Sequence, residues 1–343
     1  MDSNPHYSAL SSWVLLVAKA IDSYGFDSAD LFARSGLDYS RLRDPGARFS
    51  YAGVTRLWEL ATQVTRDPCF GLTAANLWHP TTLHALGYSW FASSSLQDAY
   101  ERLRRYARFI STAANGALRI EKSTESYCLI LDPSRMKLTP ATVAIDAGLG
   151  MILNMSRAAY GEYFRALRVS LRHDAPGEAR HLERFNDLVG APVAFAQSEN
   201  ALWLDPEMVT EALATANPEL TRVGDQVITD YLAQLDRNDV TMRVKSKLIE
   251  RLPGGKVSEE GIASSINVSQ RSLQRKLRQQ GMSFTQLLEN TRRELSLQYV
   301  RDPQYSLHEV SFLLGFAEPG NFSRAFKRWY GQSPSQFRQD SLS

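Results

Sequence analysis

The stretch SEEGIASSINVSQRSLQRKLR, residues 258–278, has the pattern of two short helices joined by a tight turn. Ser258 and Ser269 each precede a helical pattern, where a hydroxyl can accept a hydrogen bond from a free backbone amide. At about 100° per residue, Leu273 and Leu277 fall on one side of the second helix. The other side carries a polar stripe of Arg271, Gln274, Arg275 and Arg278. The stretch therefore predicts a helix-turn-helix unit whose second helix has one apolar and one basic face.

A second copy of this pattern lies in residues 306–330. Ser306 and Glu309 have the spacing of a capping box, and Gly315 suits the left-handed conformation that ends a helix. Pro319 fits the first position of the next helix, where its missing amide proton costs nothing. The apolar side of that helix carries Phe322, Phe326 and Trp329, and the polar side carries Gly320, Arg324, Lys327 and Arg328, with Asn321 at the margin. Two such units in one segment are difficult to attribute to coincidence.

The polar faces of the two units suit a nucleic acid. Arg and Gln match the major-groove edges of guanine and adenine. A single amphipathic helix is weak evidence, because an ordinary solvated surface has the same pattern, but the tandem arrangement favours DNA binding. The charge distribution agrees. From residue 240 onward there are 16 Lys and Arg against 9 Asp and Glu, a net +7, so the whole-chain net charge of +2 leaves residues 1–239 at −5.

This segment resembles the AraC/XylS family of bacterial transcription regulators. The similarity is carried by SQRSLQRKL at 269–277, LGF at 314–316, NFSRAFKRW at 321–329 and GQSPSQFR at 331–338. The resemblance implies one long helix between the two motifs, at residues 284–300, stopped by Asp302 and Pro303. About 25 Å of helix would hold two reading helices toward successive major-groove segments, about 34 Å apart.

The resemblance also implies which residues contact DNA. In the first motif the base-reading positions are Gln270, Arg271, Gln274 and Arg275, and Ser269 and Arg278 complete the predicted set. In the second motif the corresponding positions are Glu318, Pro319, Gly320 and Asn321. Pro319 and Gly320 depart from the family's pattern, because neither has a side chain that can hydrogen-bond a base. We therefore expect base reading there only from Glu318 and Asn321, and phosphate contacts from Ser323, Arg324 and Lys327. Trp329 and Tyr330 are expected in the core.

The length allows two domains of ordinary size. We predict an α+β amino-terminal sensor domain followed by an all-α DNA-binding domain with two helix-turn-helix motifs joined by a long helix. The predicted limits are 1–216 for the effector-binding domain, 217–239 for an amphipathic connecting helix and linker, and 240–343 for the DNA-binding domain. Periodicity predicts helices at 10–24, 51–65, 82–91, 96–110 and 141–160, a hairpin within 118–131, and strands at 167–171, 193–195 and 201–204.

The amino-terminal part loosely resembles the effector domains of a branch of the same family, which implies a small-molecule effector. No effector-binding residue can be assigned. Seven aromatics either line a pocket or, as burial statistics favour for most of them, form core: Trp58, Trp78, Tyr88, Trp90, Phe91, Tyr106 and Phe109. Arg104, Arg105 and Arg108 either pair an anionic effector or, the preferred interpretation, form a solvated helix face.

A helix is predicted to begin at Asn217 and Pro218 and to carry an apolar stripe. The stripe consists of Leu220, Val223, Val227, Tyr231 and Leu235. Such a stripe requires a partner. It packs either against its mate in a dimer or, the preferred interpretation, inside its own domain.

Nothing in the sequence indicates catalysis. The six histidines are scattered without metal-site spacing, and no P-loop is present, so no cofactor or metal is expected. One alternative is a DNA-repair protein with the same DNA-binding module and Cys69 as methyl acceptor, but Cys69 lacks the clustered cysteines that would bind zinc and lower a thiol pKa. Another is a DNA-binding protein that responds to no effector.

The preferred hypothesis is an effector-responsive transcription regulator, more often an activator in this family. The expected partners are promoter DNA, an unidentified small molecule, RNA polymerase and a second copy of the chain. Cys69 and Cys128 suggest buried thiols in a reducing compartment. The sequence has no signal-peptide pattern and no membrane span, so we expect a cytoplasmic, nucleoid-associated protein without a membrane partner.

Overall fold

The chain forms two compact units, Met1–Tyr231 and Leu232–Ser343. The computed structural model describes residues 7–238, 240–255, 257–279, 282–302 and 304–342. Each unit has a buried hydrophobic core of its own. The finer division into 1–216, 217–239 and 240–343 stays a prediction, and residue 239, in the predicted linker, lies outside the described residues.

The first unit combines helices with a small sheet. Its helices, among the described residues, are α1 (Ser11–Ser23), α2 (Ser28–Arg34), α3 (Tyr51–Thr65), α4 (Phe70–Asn76), α5 (Ala85–Phe91), α6 (Leu96–Ile110), α7 (Thr142–Tyr160), α8 (Ala179–Val189), α9 (Pro206–Thr210) and most of α10 (Pro218–Asn238). The predicted helices at 51–65 and 96–110 are confirmed with these bounds. The prediction of a helix from residue 82 is wrong at its start, because His84 has φ of 50° and α5 begins only after it. The short helices α2, α4 and α8 were not predicted.

The strands of the first unit form two sheets. They are β1 (Ser8–Leu10), β2 (Arg48–Ser50), β3 (Leu118–Lys122), β4 (Tyr127–Leu131), β5 (Ala166–Ser170), β6 (Val193–Ala194) and β7 (Asn200–Leu204). β1 and β2 pair antiparallel, and the others form one sheet in the order β3-β4-β7-β5-β6, with only β5 and β6 parallel. The predicted hairpin is confirmed, with Leu118 opposite Leu131. The mixed helices and sheet confirm the α+β prediction.

Close packing fixes α7 against α4. A Cβ at Gly71 of α4 would lie 2.0 Å from the carbonyl oxygen of Val143, and one at Gly150 of α7 would lie 2.9 Å from a methyl of Leu72. Glycine is therefore required at position 71, because the backbone of Val143 leaves no room for a side chain, whereas a Cβ at position 150 would displace the Leu72 methyl. This contact places α7 beside α3 and α6, where it borders a cavity described below.

The second unit is helical throughout its described residues. Its helices are the end of α10, α11 (Val240–Arg251), α12 (Glu259–Ser265), α13 (Gln270–Gln279), α14 (Phe284–Arg301), α15 (Leu307–Leu313), α16 (Pro319–Tyr330) and α17 (Pro334–Leu342). Two hydrophobic cores lie along α14, one including Leu273 and Leu277 and the other including Phe322 and Phe326. The predicted long helix at 284–300 is confirmed. Within the described part of the chain, no helix is both long and apolar enough to cross a membrane.

The connecting helix α10 docks onto the first unit by a face that was not predicted. Ile228 is buried, and a Cβ at Gly224 would lie 1.9 Å from Ser89 Oγ. Asp225 lies on this side too and accepts a hydrogen bond from the buried Arg102, at 2.8 Å. The preferred interpretation, docking of the apolar stripe, is therefore wrong for three of its residues: Leu220, Val223 and Val227 are exposed by 59%, 45% and 50%. Tyr231 does dock, with its ring 5.1 Å from that of Phe109.

Candidate nucleic-acid interface

The first helix-turn-helix is built by two serine caps and a left-handed turn. Ser258 Oγ accepts a hydrogen bond from Gly261 N at 3.1 Å, and Ser269 Oγ accepts one from Ser272 N at 3.2 Å. Asn267 reverses the chain between α12 and α13 with φ of 57°, a conformation that Asn tolerates better than most residues. Both predicted caps are confirmed.

Helix α13 separates an apolar face from a basic one. Leu273 and Leu277 are fully buried. An open groove on the opposite face is lined by Ser269, Gln270, Arg271, Ser272, Gln274, Arg275 and Arg278. Among the described residues, none of the three arginines has an ion-pair partner, and all three are exposed. The groove therefore holds uncompensated positive charge next to amide side chains, the combination that phosphate and base edges require.

A carboxylate that the sequence analysis did not assign to the site holds two of these amides. Glu259 Oε2, at the start of α12, accepts hydrogen bonds from Gln270 Nε2 at 3.1 Å and from Gln274 Nε2 at 3.0 Å. The sequence placed Glu259 only in the first turn of α12, where it complements the helix dipole. Its partners are 11 and 15 residues away, so no local pattern signals the contact.

The second helix-turn-helix has the predicted capping box and turn. Ser306 N donates to Glu309 Oε2 at 2.7 Å, and Glu309 N donates to Ser306 Oγ at 3.1 Å. Gly315 has φ of 67°, and a Cβ there would lie 2.8 Å from the carbonyl oxygen of Leu252. Glycine is thus required both for the conformation and for the close approach. Helix α16 begins at Pro319, as predicted.

The outer face of α16 is less uniformly basic than that of α13. Its exposed predicted site residues are Glu318, Asn321, Ser323, Arg324 and Lys327. Arg324 donates to Asn321 Oδ1 at 2.5 Å, so these two side chains are held together. Lys327 has no ion-pair partner among the described residues.

The other half of α16 fastens the motif to α14. Phe322 and Phe326 are buried. Glu289 Oε1 on α14 accepts hydrogen bonds from Arg328 at 2.6 Å and from the indole nitrogen of Trp329 at 2.9 Å. Arg328, which the pattern placed on the polar side, therefore joins α16 to α14. Trp329 and Tyr330 are half-buried, in agreement with the predicted core role.

Each motif turn is held by an arginine from the helix that precedes the motif. Arg243 on α11 donates to the carbonyl of Ile266 at 2.5 Å. Arg292 on α14 donates to the carbonyls of Leu314 at 2.9 Å and Gly315 at 2.7 Å. Carbonyl groups at the end of a helix have no donor within the helix, and the guanidinium N–H groups donate hydrogen bonds to them instead. Neither arginine has a local sequence signal for this role, because both contacts bridge more than twenty residues.

The first unit contains a cavity of about 140 Å³ between α3, α6 and α7. Of the seven aromatics considered for a pocket, only Trp58 lines it, whereas Trp90 and Phe109 are buried elsewhere in the core. Tyr88 is 59% exposed, so it belongs neither to the core nor to the cavity wall. The three arginines of α6 do not line the cavity, and Arg104 pairs instead with Glu101 at 2.8 Å.

Cys69 does not have the character of a methyl acceptor. It is fully buried, and its Sγ donates to the carbonyl of His181 at 3.3 Å. Burial raises the pKa of the Cys69 thiol to about 12, whereas a nucleophilic cysteine requires a lowered pKa. Among the described residues, no group of three or more His, Cys, Asp or Glu could hold a metal ion.

The tandem helix-turn-helix units and their basic groove define a DNA-binding protein. Residues 262–340 match the family model of a helix-turn-helix domain, and residues 25–213 match that of the arabinose-binding N-terminal domain of AraC transcription regulators. The chain therefore belongs to the AraC family. It is a DNA-binding transcription regulator with an effector-binding domain, and not an enzyme.

Two transcription regulators are similar to this chain over most of its length. The chain is 28% identical to the ornithine utilization regulator of Pseudomonas aeruginosa, over 93% of both chains. It is 25% identical to the transcriptional regulator VirS of Mycobacterium tuberculosis, over 85% of both. Among solved structures, the transcriptional regulator CdpR of Pseudomonas aeruginosa aligns with 94% of this chain and 98% of its own, with a TM-score of 0.44 and 18% identity.

Proposed function

We propose that this regulator activates transcription, that it binds promoter DNA as a homodimer, and that a small molecule in the amino-terminal unit controls its activity. Activation requires RNA polymerase as a partner. Because the proposed target is chromosomal DNA, the proposed location is the cytoplasm, at the nucleoid. The observation that carries the DNA-binding part is the exposed face of α13. There, three arginines that have no ion-pair partner in the described part of the chain lie beside two glutamines.

The two motifs have different roles in this proposal. In the first, Gln270, Arg271, Gln274 and Arg275 read base edges, with Ser269 and Arg278 beside them in the same groove. In the second, Ser323, Arg324 and Lys327 bind phosphates, and only Glu318 and Asn321 are placed to read bases. Phosphate contacts set register and affinity, and base contacts set the sequence preference.

Effector control requires a difference in affinity between two states of the protein. A ligand that binds both arrangements equally shifts nothing, however tightly it binds. The effector therefore must bind more tightly to the arrangement that contacts DNA or RNA polymerase productively. By linkage, an effector that raises affinity for promoter DNA by a given factor is itself bound more tightly, by that factor, when promoter DNA is bound.

The test compares the full chain on promoter fragments from its own genome with scrambled fragments of equal length. Between about 50 and 200 mM salt, binding to both should weaken through counterion release, but a promoter preference should persist. Two chains per bound site, measured by native mass spectrometry, and increased transcript with purified RNA polymerase would support the dimer and the activator. Equal affinity for every fragment would contradict sequence-specific recognition, and a metabolite-independent transcript level would favour the effector-independent alternative.

A further inference from the structure

The cavity in the first unit has an almost wholly apolar wall made by the faces of three helices. Helix α3 contributes Tyr51, Val54, Thr55 and Trp58, which recur on one face. Helices α6 and α7 contribute mainly alanine, leucine, isoleucine and methionine side chains, with Gly148 opening space on α7. Among the described residues that line the cavity, no side chain carries a charge.

The wall has few polar side chains, namely Trp13, Tyr51, Thr55, Trp58 and Ser111. The Trp58 indole N–H is buried and has no hydrogen-bond partner among the described residues. The Tyr51 hydroxyl likewise has none there. Burial raises the pKa of Tyr51 well above its ordinary value, so the hydroxyl keeps its proton and remains a donor. The other hydroxyl of α3 is occupied, since Thr55 Oγ1 donates to the carbonyl of Tyr51 at 3.1 Å.

Unused buried donors are costly to a fold unless something accepts from them. The Tyr51 side chain lines space that can hold a ligand, so an acceptor atom on that ligand would use the Tyr51 hydroxyl, whereas burial closes the Trp58 nitrogen off from the cavity. A charged group would find no counterion in the wall, and its burial would be strongly unfavourable. The volume sets the size: an apolar cavity of about 150 Å³ in another protein holds benzene.

We propose that this cavity is the effector site, and that it takes an uncharged, largely apolar molecule about the size of a benzene ring, with a hydrogen-bond acceptor that meets the Tyr51 hydroxyl. The proposal rests on the proposed function only in calling that molecule an effector. Such a molecule differs from a charged amino acid such as ornithine and from a free sugar with its many hydroxyls, because the wall offers no counterion and few polar groups.

Three probes with one ring test the chemistry: phenol, toluene and benzoate, each added to the full chain in a thermal unfolding measurement. A ligand that binds only the folded state raises its melting temperature. Phenol and toluene should raise it, phenol at lower concentration, and benzoate should not. Tyr51→Phe should weaken phenol binding about three- to tenfold, the value of one hydrogen bond, and leave toluene binding in place.

Cavity-filling variants test the location. A Cβ at Gly148 would lie 3.5 Å from a methyl of Leu131, an ordinary contact, so Gly148→Ala and Gly148→Leu can be placed in the helix. Gly148→Leu should abolish the response to phenol, and Gly148→Ala should reduce it. Ala158→Leu, at an exposed position of the same helix, is the matched control and should keep it.

An unchanged phenol response in both Gly148 variants would overturn the proposal, and so would a benzoate, ornithine or arabinose response that Gly148→Leu removes. A failure of all uncharged probes to bind would also overturn it. None of these results bears on promoter binding, which is measured without a ligand, so failure of the cavity proposal and failure of the proposed function are distinguishable.

Discussion

The carboxylate of Glu259 accepts a hydrogen bond from the side-chain amide of Gln274, 3.0 Å away, across the turn of the first motif. It accepts a second from Gln270 at 3.1 Å. The negative charge of Glu259 lowers the net positive charge of the groove by one. The two hydrogen bonds, however, fix the rotamers of two glutamines on the proposed reading face. An amide that is already oriented loses less conformational entropy when it binds a base.

Glu259→Gln should therefore reduce sequence preference without reducing affinity for arbitrary DNA. We expect the ratio of promoter to scrambled affinity, measured by fluorescence anisotropy, to fall about three- to tenfold. Glu260→Gln is the matched control, because it removes the same charge from the same helical turn without contacting either glutamine. If both variants change the ratio equally, the effect is one of charge alone.

Arg275→Ala and Lys327→Ala should separate base reading from phosphate binding. Arg275→Ala should cost about 1 to 3 kcal/mol on the promoter site and weaken base preference, whereas Lys327→Ala should weaken all DNA alike and lower the salt slope by about one. Titrations on promoter and scrambled DNA at several salt concentrations measure both quantities. Equal losses from the two variants on scrambled DNA would argue against Arg275 as a base reader.

Arg292 should govern the stability of the second motif. Arg292→Ala removes charged hydrogen bonds to two carbonyls at the end of α15, and we expect local opening of α15 and α16 to become easier by about 2 kcal/mol. Hydrogen exchange of peptides from residues 307–330 measures this opening. The adjacent Arg293→Ala is the control, since Arg293 is exposed and its guanidinium only faces the Tyr330 ring at 5.4 Å. Equal exchange in the two variants would show that Arg292 has no special role.

His173 should make stability depend on pH. Burial lowers the pKa of His173, but the hydrogen bond to Asp146, at 3.0 Å, and the charges of Asp146 and Asp174 outweigh it, so the pKa is raised. Burial has the opposite effect on a carboxyl group and raises the pKa of Asp146. The hydrogen bond and charge of His173 offset this increase only in part. For both groups the folded state binds the proton more tightly than the unfolded state does.

The His173 contribution is therefore complete below about pH 6.5, the unfolded value, and is lost as pH rises through the folded-state pKa. His173→Gln should lower the melting temperature more at about pH 6 than at about pH 9. His308→Gln, an exposed position in the second unit, should show no such difference. A constant deficit in His173→Gln at all pH values would mean that only packing was lost.

Local sequence signals predicted much of the fold, but few of the hydrogen bonds that join distant residues within the site. Ser258, Ser306 and the buried pair on α13 are encoded by spacings of a few residues, so capping rules and helical periodicity locate them. Arg243 and Arg292 act on carbonyls more than twenty residues away, which no short window contains.

Helix α10 shows the same limit. Its apolar stripe predicted the wrong docking face. The face that docks is determined by contacts with helices distant in sequence: Gly224 packs against Ser89 of α5, and Asp225 pairs with Arg102 of α6. The DNA-contact residues themselves stay predictions from family resemblance. The structure adds which of their side chains are exposed and which already have partners.

Pro319 and Gly320 have a consequence for the promoters rather than for the protein. At two of the four positions proposed to read bases, residues 318–321, no side chain offers a donor or acceptor to distinguish one base pair from another. The two halves of a natural binding site should therefore differ in conservation. The DNA sequence under α13 should be conserved, and the sequence about one helical turn away should vary between related species. A promoter could then gain or lose this regulator by changes in a single short element.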